Sequence, residues 1–312
     1  MTSVQQYRVE DYEDMYVIDS SAYEDSIEER IERLRDKQVS KYCVKTIWSG
    51  DMLEVEAYPI WAIPEGKRGK KGSNSSKAQQ NLNDKNTIKR VTRIVNTNFT
   101  ENDIWATWTY ANGRLPADPE QAKKDMQNFI RRLKRWLKKQ KKYEKFELKY
   151  IYVTEFDNAE GKKVRIHHHM VTNFPDRDVA EELWNEGGRV QTRRLKPDAF
   201  GLEGLVRYIM KDKKKNPTKR YTISRNMKQP KVSVANSKLT RRRAEKIATE
   251  EVSAQELFEK MYKGYQFNDI EIKYSEFVSG AYLYVRMKRI ESPIKKRLKR
   301  GGDKDGEEGA PH

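Results

Sequence analysis

Two segments, 148–156 (Leu-Lys-Tyr-Ile-Tyr-Val-Thr-Glu-Phe) and 164–172 (Val-Arg-Ile-His-His-His-Met-Val-Thr), are dense in aromatic and β-branched residues and flank a polar stretch, Asp157 to Lys163, that contains Gly161. The pattern predicts two strands joined by a short turn and paired antiparallel. Upstream, Ile104-Trp105-Ala106-Thr107-Trp108-Thr109-Tyr110 reads as another strand. Asp118 and Pro119 then make a helix cap and first-turn pair, and Ala122, Met126, Phe129, Ile130, Leu133 and Leu137 recur at helical spacing behind them. Further helices are expected over 78–95, 178–186 and 198–214, with a strand over 189–195. The order β, α, β, β, α, β, α suits an α+β fold in which an antiparallel sheet carries helices on one face.

The flanks read differently. Residues 40–62 alternate apolar and polar around Gly50-Asp51, a predicted hairpin. The run from Gly66 to Ser76 has the Lys, Gly and Ser content of a basic linker, residues 240–262 read as helical, and 265–290 as strands. The chain therefore divides into an acidic extension (1–38), a small β region with its linker (39–85), a central domain (86–235), a C-terminal α/β region (236–294) and a charged tail (295–312).

Composition excludes several classes. Among 312 residues 36% are hydrophobic and 36% charged, and no stretch approaches the roughly 18 apolar residues that cross a bilayer. The N-terminus lacks a signal-peptide pattern, and Cys43 is the single cysteine, so no internal disulfide or cysteine zinc cage is available. A cytoplasmic protein with no membrane partner is expected. The Gly-x4-Gly-Lys-Ser/Thr spacing of a phosphate-binding loop does not occur, which argues against a built-in helicase or NTPase. The net charge of +17 points to a polyanion, with nucleic acid ahead of an anionic membrane surface. Residues 1–36 alone carry −7, so the basic character belongs to the body of the chain.

Three of the four histidines are consecutive, His167, His168 and His169. Side chains alternate across a strand, so His167 and His169 share one face and His168 takes the other. Two imidazoles so placed can grip one ion, and Glu155 across the hairpin can add an oxygen donor. Ile151 and Val153 share the face of Glu155, which would bury that strand on both sides. Mixed nitrogen and oxygen ligation admits Mn or Mg and is also compatible with Zn, Co or Ni. Downstream, Tyr208 lies off the apolar stripe of Leu202, Leu205, Val206 and Ile209 on a predicted helix, which frees it to act as a nucleophile. Gly201 and Gly204 fall on its side of that helix, where a nucleic-acid backbone could approach. Lys211, one turn on, could orient a phosphate or activate the phenol. Arg207, Arg220 and Arg225 are candidate phosphate contacts.

Glu155, then His167-His168-His169 after a glycine-containing turn, then Tyr208-Ile209-Met210-Lys211, resembles the HUH endonucleases, specifically the single-tyrosine rolling-circle Rep proteins of plasmids and phages. Thr107-Trp108-Thr109-Tyr110 stands where the family's first motif is expected, and Arg165 also fits. The chain departs from the family pattern at its central hydrophobic position, occupied here by His168; strand parity favours His167 and His169 as ligands. The resemblance covers about residues 86–235. It implies a five-stranded antiparallel sheet with flanking helices, a divalent metal, tyrosine attack on a scissile phosphate in single-stranded origin DNA, a 5′-phosphotyrosine link and a free 3′-OH. It further implies a host helicase and polymerase as partners. Two rivals are a relaxase or transposase with the same chemistry and a non-catalytic origin-binding regulator. A zinc deaminase is disfavoured, since His-x-Glu and Cys-x-x-Cys are missing.

Overall fold

The computed structural model of the protein describes residues 39–61, 77–157, 163–210, 220–274 and 280–290. The acidic extension, the basic linker, the charged tail, most of the 157–163 turn and Lys211 lie outside the described residues. In chain order the strands are β1 (Val39–Ser49), β2 (Met52–Trp61), β3 (Ile104–Thr109), β4 (Tyr150–Asp157), β5 (Lys163–Thr172), β6 (Val190–Arg194), β7 (Thr222–Ile223), β8 (Lys231–Ala235), β9 (Tyr265–Tyr274) and β10 (Ala281–Arg289). The helices are α1 (Lys77–Asn98), α2 (Pro119–Lys139), α3 (Arg177–Glu182), α4 (Glu203–Ile209), α5 (Arg241–Ala248) and α6 (Ala254–Met261). None of the described helices is long and apolar enough to cross a membrane.

The expected α+β architecture is present, with a five-stranded antiparallel sheet in the order β6-β3-β5-β4-β7. The β4–β5 hairpin sets Glu155 opposite His167 and Val153 opposite His169. On the other side of β5, β3 sets Thr107 opposite His169. The fifth strand, β7, is only two residues long and was not expected from the sequence. Periodicity cannot be read over so short a span.

Helices cover both faces of this sheet, which corrects the one-face arrangement read from element order. On one face Trp108, Tyr152 and Met170 pack against Met126, Phe129 and Leu133 of α2 and Ala180 of α3. On the other, Ile151, Val153 and Val171 pack against Val91, Ile94 and Val95 of α1 and Val206 and Ile209 of α4. Because β4 and β5 place apolar side chains on both sides, each face must be covered. Fully burying one such side chain stabilises by about 1.5–3 kcal/mol. Helix α2 begins where the sequence indicates: Asp118 Oδ1 accepts from the Gln121 N–H at 2.7 Å and Pro119 opens the first turn.

The two terminal regions meet in a second five-stranded sheet, ordered β8-β1-β2-β10-β9. Its apolar face, including Val55, Leu283 and Val285, packs on Ala244 and Ile247 of α5 and Phe258 of α6. Its other face is charged. Arg93 of α1 reaches across to Glu54 at 2.7 Å and Glu56 at 2.5 Å, so α1 lies between the sheets with its apolar side on one and this guanidinium on the other. Gly50, at the predicted hairpin turn, adopts a φ of 63° and passes so close to α1 that a Cβ would fall 2.1 Å from the Asn96 carbonyl oxygen.

Two predicted helices change shape. The expected 198–214 helix starts only at Glu203, because Asp198 and Gly201 exchange backbone hydrogen bonds in a turn with Gly201 at φ 69°. The expected 240–262 helix is two: Glu250 at φ 60° ends the first, and the Ser253 side chain caps the second by accepting from the Glu256 N–H.

Candidate active site

Glu155, His167 and His169 meet on the α1/α4 face of the core sheet. His167 Nε2 lies 3.1 Å from Glu155 Oε2 and His169 Nε2 lies 3.3 Å from Glu155 Oε1. Glu155 and His169 are buried, at 5% and 2% exposure, and the three ligand atoms lie within 4.8 Å of one another. This follows from register: Glu155 is directly opposite His167, and His169 is its diagonal neighbour on the same face.

The surrounding hydrogen bonds decide which atoms carry protons. His167 Nδ1 stands 2.9 Å from the Arg165 carbonyl oxygen, which can only accept, so Nδ1–H is the donor and a neutral His167 presents the Nε2 lone pair to Glu155. His169 Nδ1 pairs with Thr107 Oγ1 at 3.1 Å, and with the imidazole as donor its Nε2 lone pair also faces the carboxylate. In this neutral state Glu155 Oε1 and His169 Nε2 are buried and, despite their separation, make no hydrogen bond with each other or with another described residue. Acceptors converging in this way repel unless a cation lies among them. Protons on the imidazoles are one such source of positive charge. Burial alone would raise the Glu155 pKa, but donation from protonated His167 and His169 and their charge hold its carboxyl far below the usual carboxylate range. The donor set therefore fits a divalent cation in place of those protons, with Thr107 and the Arg165 carbonyl orienting the imidazoles from behind.

His168 does different work on the opposite face. It is fully buried in the α2 core, with Nε2 2.7 Å from the Tyr110 hydroxyl and Nδ1 2.8 Å from Thr154 Oγ1. Both ring nitrogens are committed to side chains of the core, which separates it from the cluster.

Tyr208, on α4, comes to the Glu155 face. Its ring centroid is 5.4 Å from that of His169 and 6.0 Å from that of Trp105, and 47% of the residue is exposed while Val206 and Ile209 are buried beneath α4. Lys211 lies outside the described residues. Arg207 is exposed and paired with Glu203 at 2.6 Å. Arg220 is bound to Asp84 at 2.7 Å and to the Met210 carbonyl at 2.9 Å, tying α1 to the chain after α4. Arg225 lines a 1090 Å³ cavity under α2, on the far side of the sheet from Glu155. Gly201 is buried, and a Cβ there would fall 2.7 Å from Asn96 Oδ1, so its missing side chain serves the packing of the loop on α1 and not the approach of a ligand. Gly204 is open on its outer side.

Sequence reasoning did not find the roles of Thr107, Trp105 and Tyr110. Trp105 stacks near His169 with ring centroids 6.4 Å apart and forms the wall beside Tyr208. All three depend on β3 pairing with β5 across more than sixty residues, or on the approach of α4, neither of which leaves a local signal.

Residues 103–217 match the family model of the replication-associated protein ORF2. The matched segment contains Glu155, His167, His169 and Tyr208, and the match agrees with a rolling-circle replication protein. No curated protein and no solved structure matches the chain.

Proposed function

We propose that the protein is a site-specific single-stranded DNA endonuclease that initiates rolling-circle replication, with Tyr208 as nucleophile and Glu155, His167 and His169 as the ligands of a divalent metal, Mn or Mg. The observation that carries this reading is the convergence of three ligand atoms on one side of His169, with the Tyr208 ring at 5.4 Å on the same face. The match to a replication-associated family supports the biological setting.

A bound divalent ion supplies Lewis-acid polarisation of a phosphodiester oxygen. The chain's own residues do the rest. The Tyr208 oxygen attacks the scissile phosphorus, the bond to the 3′ oxygen breaks, and that oxygen takes up a proton equivalent to the one the phenol gives up. The products are a 5′-phosphotyrosine and a free 3′-OH. Attack by a second 3′-OH on the phosphotyrosine runs these transfers in reverse and joins the strand. Thr107 and the Arg165 carbonyl hold the imidazoles in orientation. The basic body of the chain attracts the DNA backbone, and a host helicase and polymerase would act on the primed strand.

The test is incubation with single-stranded oligonucleotides from the replicon that encodes the protein, with Mn or Mg. A denaturation-resistant adduct mapped to Tyr208, absent in Tyr208→Phe and in His169→Ala, is expected. An adduct that persists in Tyr208→Phe overturns the nucleophile, and DNA binding without cutting of any such oligonucleotide favours an origin-binding regulator.

A further inference from the structure

A second cavity, of 440 Å³, opens beside the cluster and is walled by Trp105, the end of β6, the loop after it and the start of α4. Its volume suits an occupant the size of a nucleotide unit. Four cations line it, Arg177, Arg193, Arg194 and Lys196, against the single carboxylate of Asp198. The guanidinium of Arg193 stands 5.9 Å from the Trp105 ring centroid. Trp105 is shared: the indole that lines this cavity also packs edge-on to Tyr208 and stacks near His169. One aromatic side chain is thus all that separates the cavity from the candidate nucleophile.

The geometry points to this cavity as the subsite for one unpaired nucleotide adjoining the scissile phosphate, its base set against Trp105 and its phosphate held by Arg193, Arg194 and Lys196. An aromatic face with surrounding cations is the combination that holds single-stranded nucleic acid, because every base has a π-face and every linkage a negative charge. A purely apolar ligand would leave four cations unused, and a free phosphate would leave the indole unused. The inference rests on the proposed reading of the site as a DNA-cleaving centre. It adds that positioning begins one nucleotide away, where Trp105 couples the seating of a base to the placement of the next phosphate before Tyr208.

Gly204 allows the cavity to be closed without touching the cluster. A Cβ there meets only Asp198 Oδ2, at 3.9 Å, and glycine is a poor helix former, so Gly204→Phe should fill the cavity while leaving α4 intact. The probe is a pool of single-stranded oligonucleotides carrying 5-iododeoxyuridine, irradiated with the full-length protein and mapped by mass spectrometry. Crosslinks to Trp105 are expected in the wild type and in Tyr208→Phe. Their yield should fall about tenfold, the scale of one lost base stack, in Gly204→Phe, while Mn binding stays unchanged. Arg193→Ala, at an exposed position, should weaken oligonucleotide binding without altering Mn binding. Crosslinks confined to other parts of the chain, or a Trp105 crosslink undiminished in Gly204→Phe, overturn the subsite. Crosslinking at Trp105 without any Tyr208 adduct would keep the subsite and remove the nicking reaction, so the two failures are distinguishable.

Discussion

Each sheet buries a carboxylate on an interior strand, and the two are neutralised differently. On β2, Glu56 is 1% exposed and has cations of its own, Arg93 at 2.5 Å and Lys45 at 3.3 Å. On β4, Glu155 is 5% exposed and faces two imidazoles whose remaining hydrogen bonds direct lone pairs toward it. Arginine and lysine are permanently charged at neutral pH, so the first cluster is complete within the chain. Histidine is only conditionally charged, so the second calls for a cation from outside. Burial depth does not distinguish structure from chemistry here; the kind of counter-charge does.

The sharpest way to break the comparison at the second sheet is Arg93→Ala. It leaves Glu54 and Glu56 buried beside each other without their shared guanidinium, and the expected loss is about 3–5 kcal/mol in urea unfolding. A loss below about 1 kcal/mol would mean that water or Lys45 suffices.

Acid titration gives the next effect. Burial disfavours ionised Glu56, but Arg93, Lys45 and Lys89 outweigh it and bring its pKa down from 4.5 to about 2 in the folded protein. A depressed carboxylate pKa stabilises the fold above the unfolded value and loses that contribution as pH falls through the folded one. About 3 kcal/mol should therefore be present in full above about pH 4.5 and disappear toward pH 2. Thermal unfolding of wild type and Glu56→Gln across this window should converge as the pH drops, and parallel curves would contradict the assignment.

A smaller effect is expected at Thr107. Thr107→Val removes the partner that orients His169 while keeping the shape of β3, and Mn affinity should fall about 10–100-fold with little change in unfolding free energy. An unchanged Mn isotherm would show that His169 is oriented by packing alone.

How far the sequence revealed these regions follows from the range of the contacts that make them. The β4–β5 hairpin is local, so its strands, the opposition of Glu155 to His167 and the segregation of His168 by parity could all be read from alternation. Helix α2 was legible because its cap and stripe are contained in one segment. Ile151 and Val153 already hinted at a strand buried on both sides, but the helices that cover it, α1 and α4, lie far away in the chain. The second sheet was invisible for the same reason. Its β1–β2 and β9–β10 hairpins could each be anticipated, yet nothing local says that β10 pairs with β2, setting Arg286 opposite Glu54. That pairing also reaches the candidate site, because Arg286 Nη1 binds Glu203 at the start of α4, the helix that carries Tyr208. The late start of α4 was likewise set by a turn against Asn96, a contact between residues about a hundred positions apart.

The difference between the two carboxylates reduces to whether Glu155 and its histidines take up a cation, and Mn titration by isothermal calorimetry measures this directly. The wild type and His168→Phe should each bind one ion per chain, since His168 belongs to the α2 core, whereas Glu155→Gln and His169→Ala, folded by circular dichroism, should bind none. A wild type that takes up no ion, or a Glu155→Gln protein whose isotherm matches the wild type, would contradict the account.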